Sequence, residues 1–301
     1  MNEVSLSANI KAIADNIGLD VLGFADASEF SNYLLHDSIR RNPKLSLPGA
    51  RTIIVAGVYI GGLRLPSWKD PNWGRTSRLY LSSFFLDVIK PIEPIANYLT
   101  KNGYRAIVSD SSTEKGSILP LKLAAVRAGL GWQGKHSLLI SKKYGTFLAL
   151  GGIITDASLE INTKEEPDRC RNCKHCQAAC PLDALHEPYV LNRNKCMSHL
   201  FMAESLTEKV AAVMENRIGD CEICQDACPW NRKHLMSPLW SNITEYFQKE
   251  IEYLQDIFYL PHLVELSETE YNKIFGRFNT GIPYEIFRRN VSMANERAKS
   301  Y

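Results

Sequence analysis

Apolar and polar positions alternate between helical and extended patterns over the first 158 of the 301 residues. Apolar side chains near helical spacing predict a helix over 2–18, and a β-branched run predicts a buried strand over 52–56. The same criteria predict further strands over 21–25, 104–108, 137–140 and 147–155, and helices over 79–101, with kinks near Pro91 and Pro94, and over 119–128. This alternation indicates an N-terminal domain of α/β or α+β class.

The remaining pattern divides the chain further. A polar stretch over 164–172 predicts a boundary, and a helix is predicted over 205–218. Residues 237–301 have a mostly helical pattern. We therefore predict three domains, over residues 1–160, 161–235 and 236–301.

Composition and charge narrow the classes of function. The chain is 45% hydrophobic, enough for a sizeable core, and its net charge of +2 gives no strong basic field. A nucleic-acid partner is permitted but not indicated. The longest apolar stretches, such as 147–154, are too short to span a bilayer, and the first residues lack a basic segment followed by an apolar run. We expect a cytoplasmic protein that is not embedded in a membrane.

All eight cysteines lie between residues 170 and 228, in two runs. The first run is Cys170-x2-Cys173-x2-Cys176-x3-Cys180-Pro181, and the second is Cys221-x2-Cys224-x3-Cys228-Pro229, with Cys196 between them. The first run is the signature of bacterial ferredoxins that hold two [4Fe–4S] clusters. Spacing of this kind argues against a disulfide scaffold.

Pseudo-symmetry assigns the ligands, because the cysteine before each proline ligates the cluster of the other run. One cluster then takes Cys170, Cys173, Cys176 and Cys228. The other takes Cys180, Cys196, Cys221 and Cys224. Two four-cysteine zinc sites are the alternative, although zinc ribbons favour paired CxxC knuckles.

A glycine-rich segment follows the helix predicted over 119–128. Its residues Gly129, Gly131 and Gly134 permit the close backbone approach that a flat cofactor or a phosphate requires. The spacing is not GxGxxG, which argues against a dinucleotide site. The alternative interpretation is a tight connection from helix to strand.

Three stretches together resemble the epoxyqueuosine reductase family. They are Gly129-Leu130-Gly131-Trp132-x-Gly134-Lys135 with its Leu-Leu-Ile continuation, Pro188-Tyr189-Val190 leading to Cys196-x-Ser198, and Cys224-Gln225-x-x-Cys228-Pro229-Trp230-Asn231-Arg232. The resemblance covers roughly residues 100–235, and Arg288-Arg289-Asn290 fits more loosely. It implies α+β class overall: a nitroreductase-like N-terminal domain, a two-cluster ferredoxin-like module and a helical C-terminal extension.

The resemblance also implies a reaction. The family, which is related to the reductive dehalogenases, carries two [4Fe–4S] clusters and base-off cobalamin. It removes the epoxide oxygen of epoxyqueuosine in the tRNA anticodon loop, with electrons from an external donor of ferredoxin or flavodoxin type. The residues implied to lie at the cobalamin are Gly129, Gly131, Trp132, Gly134, Lys135 and Ser198.

The family's proton donor is an aspartate at a strand end, which matches Asp110. The segment 111–117 is several residues longer than is usual in the family, and a gapless count back from Gly129 reaches Lys115 instead. The alternative role for Asp110 is a turn or helix N-cap.

The chain departs from the family over Gly74–Tyr80, where the family usually has Gly-x-Asp-Tyr-His. This loop also belongs to an irregular stretch rich in tryptophan and arginine, over 61–78. We therefore expect electron transfer to be intact and substrate recognition to be altered. The protein then either catalyses the family's reaction or is a relative that acts on a different substrate.

Other functions stay open at this point. An electron-transfer protein would need clusters but no cofactor in residues 1–160, and a flavin could replace cobalamin there. A nucleic-acid-binding protein with structural clusters would use a basic patch, for which the candidates are Arg232, Lys233, Arg288 and Arg289.

Overall fold

The computed structural model describes residues 3–33, 37–85, 92–109, 117–161, 164–236, 256–276 and 282–299. Contacts within the chain define two compact units whose segments interleave along the sequence. The first comprises Met1–Tyr59, Asp87–Gly134 and Leu138–Arg171, and the second comprises Ile60–Leu86, Lys135–Ser137 and Asn172–Tyr301. The three domains predicted from the sequence are continuous ranges, and they stay a prediction.

The strands and helices form a mixed fold. The strands are β1 (Val21–Asp26), β2 (Thr52–Tyr59), β3 (Ala106–Ser109), β4 (Trp132–Gln133), β5 (Leu139–Ile140) and β6 (Leu148–Thr155). The α-helices are α1 (Glu3–Asn16), α2 (Ser38–Arg41), α3 (Pro43–Ser46), α4 (Arg78–Phe85), α5 (Glu93–Lys101), α6 (Leu121–Arg127), α7 (His175–Ala179), α8 (Met197–Leu200), α9 (Glu208–Val213), α10 (Ile223–Asp226), α11 (Arg232–Met236), α12 (Leu260–Glu265), α13 (Glu268–Phe275) and α14 (Tyr284–Ala298). Short 3₁₀ turns cover Pro66–Lys69, Arg193–Lys195 and Pro229–Asn231.

A four-stranded antiparallel sheet forms the centre of the first unit, in the order β1-β2-β6-β3. Successive residues of a strand face opposite sides. Ile53 and Val55 therefore pack into one apolar core with residues of α6, while Ile54 packs into the other with α1 and α5. Both faces are covered, which explains why β2 is an unbroken apolar run.

The structure shortens two of the predicted helices. Within the described residues of the helix predicted over 79–101, α4 extends to Phe85 and α5 begins at Glu93. Pro94 lies in the first turn of α5, where a proline needs no N–H partner. Pro91 lies outside the described residues. The helix predicted over 205–218 ends at Val213, because the chain beyond it pairs with Arg75: Arg75 N donates to Asn216 O at 2.8 Å, and Ile218 N donates to Arg75 O at 3.0 Å.

The second unit contains the C-terminal helices and the cysteines from Cys173 onward, whereas Cys170 belongs to the first unit. An aromatic core joins α13 and α14, with Tyr271, Phe275 and Phe287 rings 4.8–5.3 Å apart between centroids. Ser267 and Glu270 form a capping box that begins α13. Within the described ranges, no helix is both long and apolar enough to cross a bilayer.

Candidate metal centre

The first cysteine run surrounds a short helix. Cys176 lies in α7 and is buried, and Cys180 follows the last turn of that helix. The Cys180 Sγ accepts a hydrogen bond from Ala184 N at 3.3 Å. Lys135 Nζ donates to the Cys173 carbonyl at 3.0 Å. Backbone and side-chain donors thus fix the loop at two of its cysteines.

The second run repeats this arrangement. Cys224 lies in α10, and the buried Cys228 precedes Pro229. Helix α10 packs against α7, so the two runs meet along their helices. Asn231 supports the second run, because its Nδ2 donates to Gln225 O at 2.7 Å.

The displaced Cys196 is joined to the second run by Ser198. Cys196 is the N-cap residue that directly precedes α8. The Ser198 hydroxyl donates to Cys221 O at 3.2 Å and accepts from Cys221 N at 3.2 Å. Ser198 was expected beside cobalamin, and that role stays a prediction. The structure shows that its hydroxyl bonds to the backbone of a predicted cluster ligand.

Electrostatics identify the thiols that lie close together. Burial raises the pKa of the Cys221 thiol to about 12. Burial also raises the pKa of Cys224, and neighbouring thiolates raise it further: those of Cys221, Cys196, Cys176 and Cys180. Such coupling weakens with distance, so these thiols lie near one another. Three of these neighbours and Cys224 itself are the set that the spacing predicts for one cluster.

These thiols fit the chemistry of an iron–sulfur ligand set. All eight cysteines are free of disulfides. The thiolate is the ligand, so metal binding must displace protons from thiols that burial keeps protonated. In the part of the chain that the structure describes, no three His, Cys, Asp or Glu side chains are grouped closely enough to hold a single metal ion. The assignment of cysteines to each cluster stays a prediction.

Local packing accounts for two residues of the glycine-rich segment. Gly129 has a φ of +72°, which ends α6 in a conformation that L-residues rarely adopt. A Cβ on Gly131 would lie 2.1 Å from the Ile140 carbonyl oxygen. The segment is therefore a tight connection from α6 to β4, which was the alternative interpretation, while its place at a cofactor stays a prediction.

Asp110 lies outside the described residues, as do 111–116. The two ends of this segment are held together, since Ser109 Oγ and Ser117 Oγ are 3.1 Å apart and Leu119 N donates to Ser109 Oγ at 3.2 Å. Strand β3 ends at Ser109, so Asp110 follows a strand as predicted.

The sequence pattern did not single out the acidic residues of the second run. Glu222 forms an ion pair with Arg78, and Asp226 forms one with Arg75. Ser77 Oγ donates to the Asp220 carboxylate. The loop Gly74–Tyr80, where the chain departs from the family pattern, thus contacts the second cysteine run. The acidic residues that flank Cys221 and Cys224 in the sequence were the signal that could have identified these contacts.

The C-terminal Arg-Asn pair also supports the cysteine module. Asn290 is fully buried and its Nδ2 donates to Phe201 O at 3.1 Å. Arg289 Nη2 donates to the same carbonyl at 3.1 Å. These bonds hold the turn that follows α8. Arg289 therefore makes structural contacts, whereas Arg288, Arg232 and Lys233 are exposed.

Comparison with known proteins establishes the family. Residues 169–231 match the 4Fe-4S double cluster binding domain. An epoxyqueuosine reductase from Synechocystis sp. is 34% identical over 197 residues, or 64% of this chain and 67% of that protein. One from Gloeobacter violaceus is 32% identical over 246 residues, or 79% of this chain and 74% of that protein. The chain belongs to the epoxyqueuosine reductase family.

Membership of the epoxyqueuosine reductase family confirms that the chain is an oxidoreductase with iron–sulfur clusters, not a zinc protein. Solved structures agree on the fold. A crystal structure of epoxyqueuosine reductase with a modified tRNA-Tyr stem loop has a TM-score of 0.80 at 23% identity, covering 99% of this chain and 83% of that chain. A reductive dehalogenase structure has a TM-score of 0.53 at 15% identity, covering 94% and 38%.

Proposed function

We propose that this enzyme removes the epoxide oxygen of epoxyqueuosine in a tRNA anticodon loop. The curated relatives carry the name of this activity, and one similar structure holds an epoxyqueuosine-modified stem loop. The observation that carries the proposal is the gathering of Cys180, Cys196 and Cys221 around Cys224. These are the cysteines predicted to hold one cluster, and around them the chain carries the family's sequence motifs, which a simple electron carrier does not need.

The overall chemistry sets what the chain must supply. Loss of the epoxide oxygen as water consumes two electrons and two protons. When bound, the clusters would supply electrons one at a time, and cobalamin would supply the group that reduces the epoxide. The cysteines hold the clusters, Ser198 aligns Cys221 with the helix after Cys196, and Lys135 fixes the Cys173 loop. An external donor of ferredoxin or flavodoxin type supplies the electrons.

Cobalamin is the proposed partner of the first unit, for which we propose a nitroreductase-like fold. A structurally similar reductive dehalogenase is described in connection with B12-dependent dehalogenation. We propose Gly129, Gly131, Trp132 and Gly134 of this unit as cobalamin-binding residues. Lys135 and Ser198, which the resemblance also implies at the cobalamin, belong to the second unit. A cytoplasmic location follows from a tRNA substrate.

Asp110 is the proposed proton donor to the departing oxygen. It follows β3, and the bonds between Ser109 and Ser117 fix the ends of its segment. A similar structure from Bacillus subtilis, with a TM-score of 0.78, is described with an aspartate catalytic loop swung out of the active site.

Purification without oxygen tests the proposal. We expect about eight irons per chain, since two [4Fe–4S] clusters are predicted. We also expect cobalamin binding, and conversion of epoxyqueuosine to queuosine in tRNA supplied with a reductant. Clusters without corrinoid binding or turnover would instead support the electron-transfer alternative.

Substitution of Asp110 tests its role separately. Asp110→Asn should reduce turnover about 10²- to 10⁴-fold, the usual contribution of a general acid. Glu114→Gln is the matched control from the same segment, and Lys115→Gln tests the residue that a gapless count selects. Full activity of Asp110→Asn would exclude Asp110 as the donor and leave the reaction itself untouched.

A further inference from the structure

Two arginines of the loop Gly74–Tyr80, Arg75 and Arg78, face the carboxylates of residues close to Cys221 and Cys224 in the sequence. Glu222 directly follows Cys221, and Asp226 lies two residues after Cys224. Arg75 and Arg78 come from the segment that otherwise departs from the family pattern. All of these residues belong to the second unit.

Arg78 and Glu222 form a buried pair with two contacts. Arg78 N donates to Glu222 Oε2 at 3.0 Å, and Arg78 Nη1 donates to Glu222 Oε1. Their side chains are only 2% and 1% exposed. Another Arg78 donor, Nε, bonds to Gly61 O at 3.1 Å. The guanidinium is thus held in one orientation against the carboxylate.

Arg75 completes the network from a less buried position. Its Nη2 pairs with Asp226 Oδ2 and lies 3.8 Å from Glu222 Oε1. Arg78 Nη1 also lies 3.4 Å from Asp226 Oδ1, so the two arginines share both carboxylates. Trp68 supports both guanidinium groups, which lie 5.4 and 5.8 Å from its ring centroid.

The charges of this network matter to a neighbouring cluster. Burying an ion pair is costly, and a well-packed apolar pair of similar volume is often as stable. Two carboxylates beside cluster ligands would oppose the addition of an electron, because potentials depend on net charge and local environment. Two arginines cancel that charge.

We propose that Arg75 and Arg78 are positioning residues that neutralise Glu222 and Asp226 and thereby raise the reduction potential of the cluster held by Cys221 and Cys224. The proposal rests on the assignment of these cysteines to one [4Fe–4S] cluster. It gives the altered loop Gly74–Tyr80 a role in electron transfer. The loop therefore sets how readily one cluster accepts an electron.

Redox titration followed by EPR tests the proposal on the full-length, cluster-loaded protein. In Arg78→Gln, one of the two clusters should fall in midpoint potential by about 59 mV or more, which is a tenfold change in a one-electron equilibrium. Arg78→Gln/Glu222→Gln should return toward the wild-type value, and Arg78→Lys should stay close to it. Arg105→Gln is the matched control, because Arg105 pairs with Asp156 and both residues belong to the first unit.

The outcomes separate this inference from the cluster assignment. An iron-loaded Arg78→Gln with both potentials unchanged overturns the inference, and so does an equal fall in Arg105→Gln. Absence of any [4Fe–4S] signal in the wild-type protein would overturn the assignment instead. If Arg78→Gln fails to hold iron, Arg75→Gln provides the same test at a more exposed site and should lower the potential in the same direction.

Discussion

At the scale of single residues, one hydroxyl group determines where Cys196 lies. Ser198 bonds to both backbone groups of Cys221, 23 residues further along the chain. The sequence indicated that Cys196 completes a ligand set, but it could not indicate this contact, because a serine in a helix has many possible partners. Gly131 shows the opposite case, since the close approach of Ile140 explains a glycine that the sequence singled out.

We expect Ser198→Ala to loosen the second cysteine run. Loss of its two hydrogen bonds should lower the free energy of unfolding by about 1–2 kcal/mol, and iron should be released faster on dilution into a chelator. Cys221 N retains its bond to Asp220 Oδ1, which limits the loss. Ser205→Ala, at an exposed position, is the control and should behave as wild type. Equal iron release from both variants would contradict the role of Ser198.

At the scale of elements, local patterns predicted the sheet better than the helices. Strand β2 is evident because its β-branched residues face two cores, and the predicted strands over 21–25 and 147–155 are close to β1 and β6. Helix α9 is shorter than its pattern because Asn216 and Ile218 pair with Arg75, far away in sequence. Tertiary pairing of this kind overrides helix propensity.

An ion pair at the end of the sheet should make the first unit sensitive to acid. Arg105 precedes β3 and binds Asp156, which follows β6. Burial would raise the pKa of Asp156, but hydrogen bonds from the Arg105 side chain and backbone outweigh it and hold the pKa below its usual value.

A depressed pKa stabilises the fold above the unfolded value, about 3.9, and the contribution is lost as pH falls through the folded pKa. Asp156→Asn should therefore cost about 0.5 kcal/mol near pH 7, as exposed pairs do, and less near pH 2. Urea unfolding at both pH values measures this, with Asp15→Asn as the exposed control. A pH-independent difference would refute the linkage.

At the scale of the whole molecule, the sequence identified the chemistry but not the division into units. The cysteine spacing predicted the iron–sulfur clusters, which the family match confirms. It could not show that residues 60–86 belong with the cysteine runs, because the contacts of Arg75, Ser77 and Arg78 join residues more than 140 positions apart.

A fragment that contains only the cysteine module should hold its clusters poorly. Residues 161–235 lack Arg78, which binds Glu222, and Lys135, which binds the Cys173 carbonyl. Glu222 would then lose its buried partner, a change that typically costs about 3–5 kcal/mol. Iron content and EPR of the reconstituted fragment, compared with the full chain, measure this. Stable loading of two clusters by the fragment would show that it is an independent domain.

The interleaving also governs the order of events during synthesis. Arg78 precedes Glu222 by 144 residues. At about 5–20 residues per second, the ribosome takes about 7–30 s to cover that distance. All segments of the first unit have been synthesised once Arg171 emerges from the ribosome. Arg78, at the start of α4, cannot pair with Glu222 until that residue has also been synthesised. Iron delivery before Cys228 is translated would find an incomplete ligand set, so every segment of the sheet is synthesised before the predicted cluster ligands are complete.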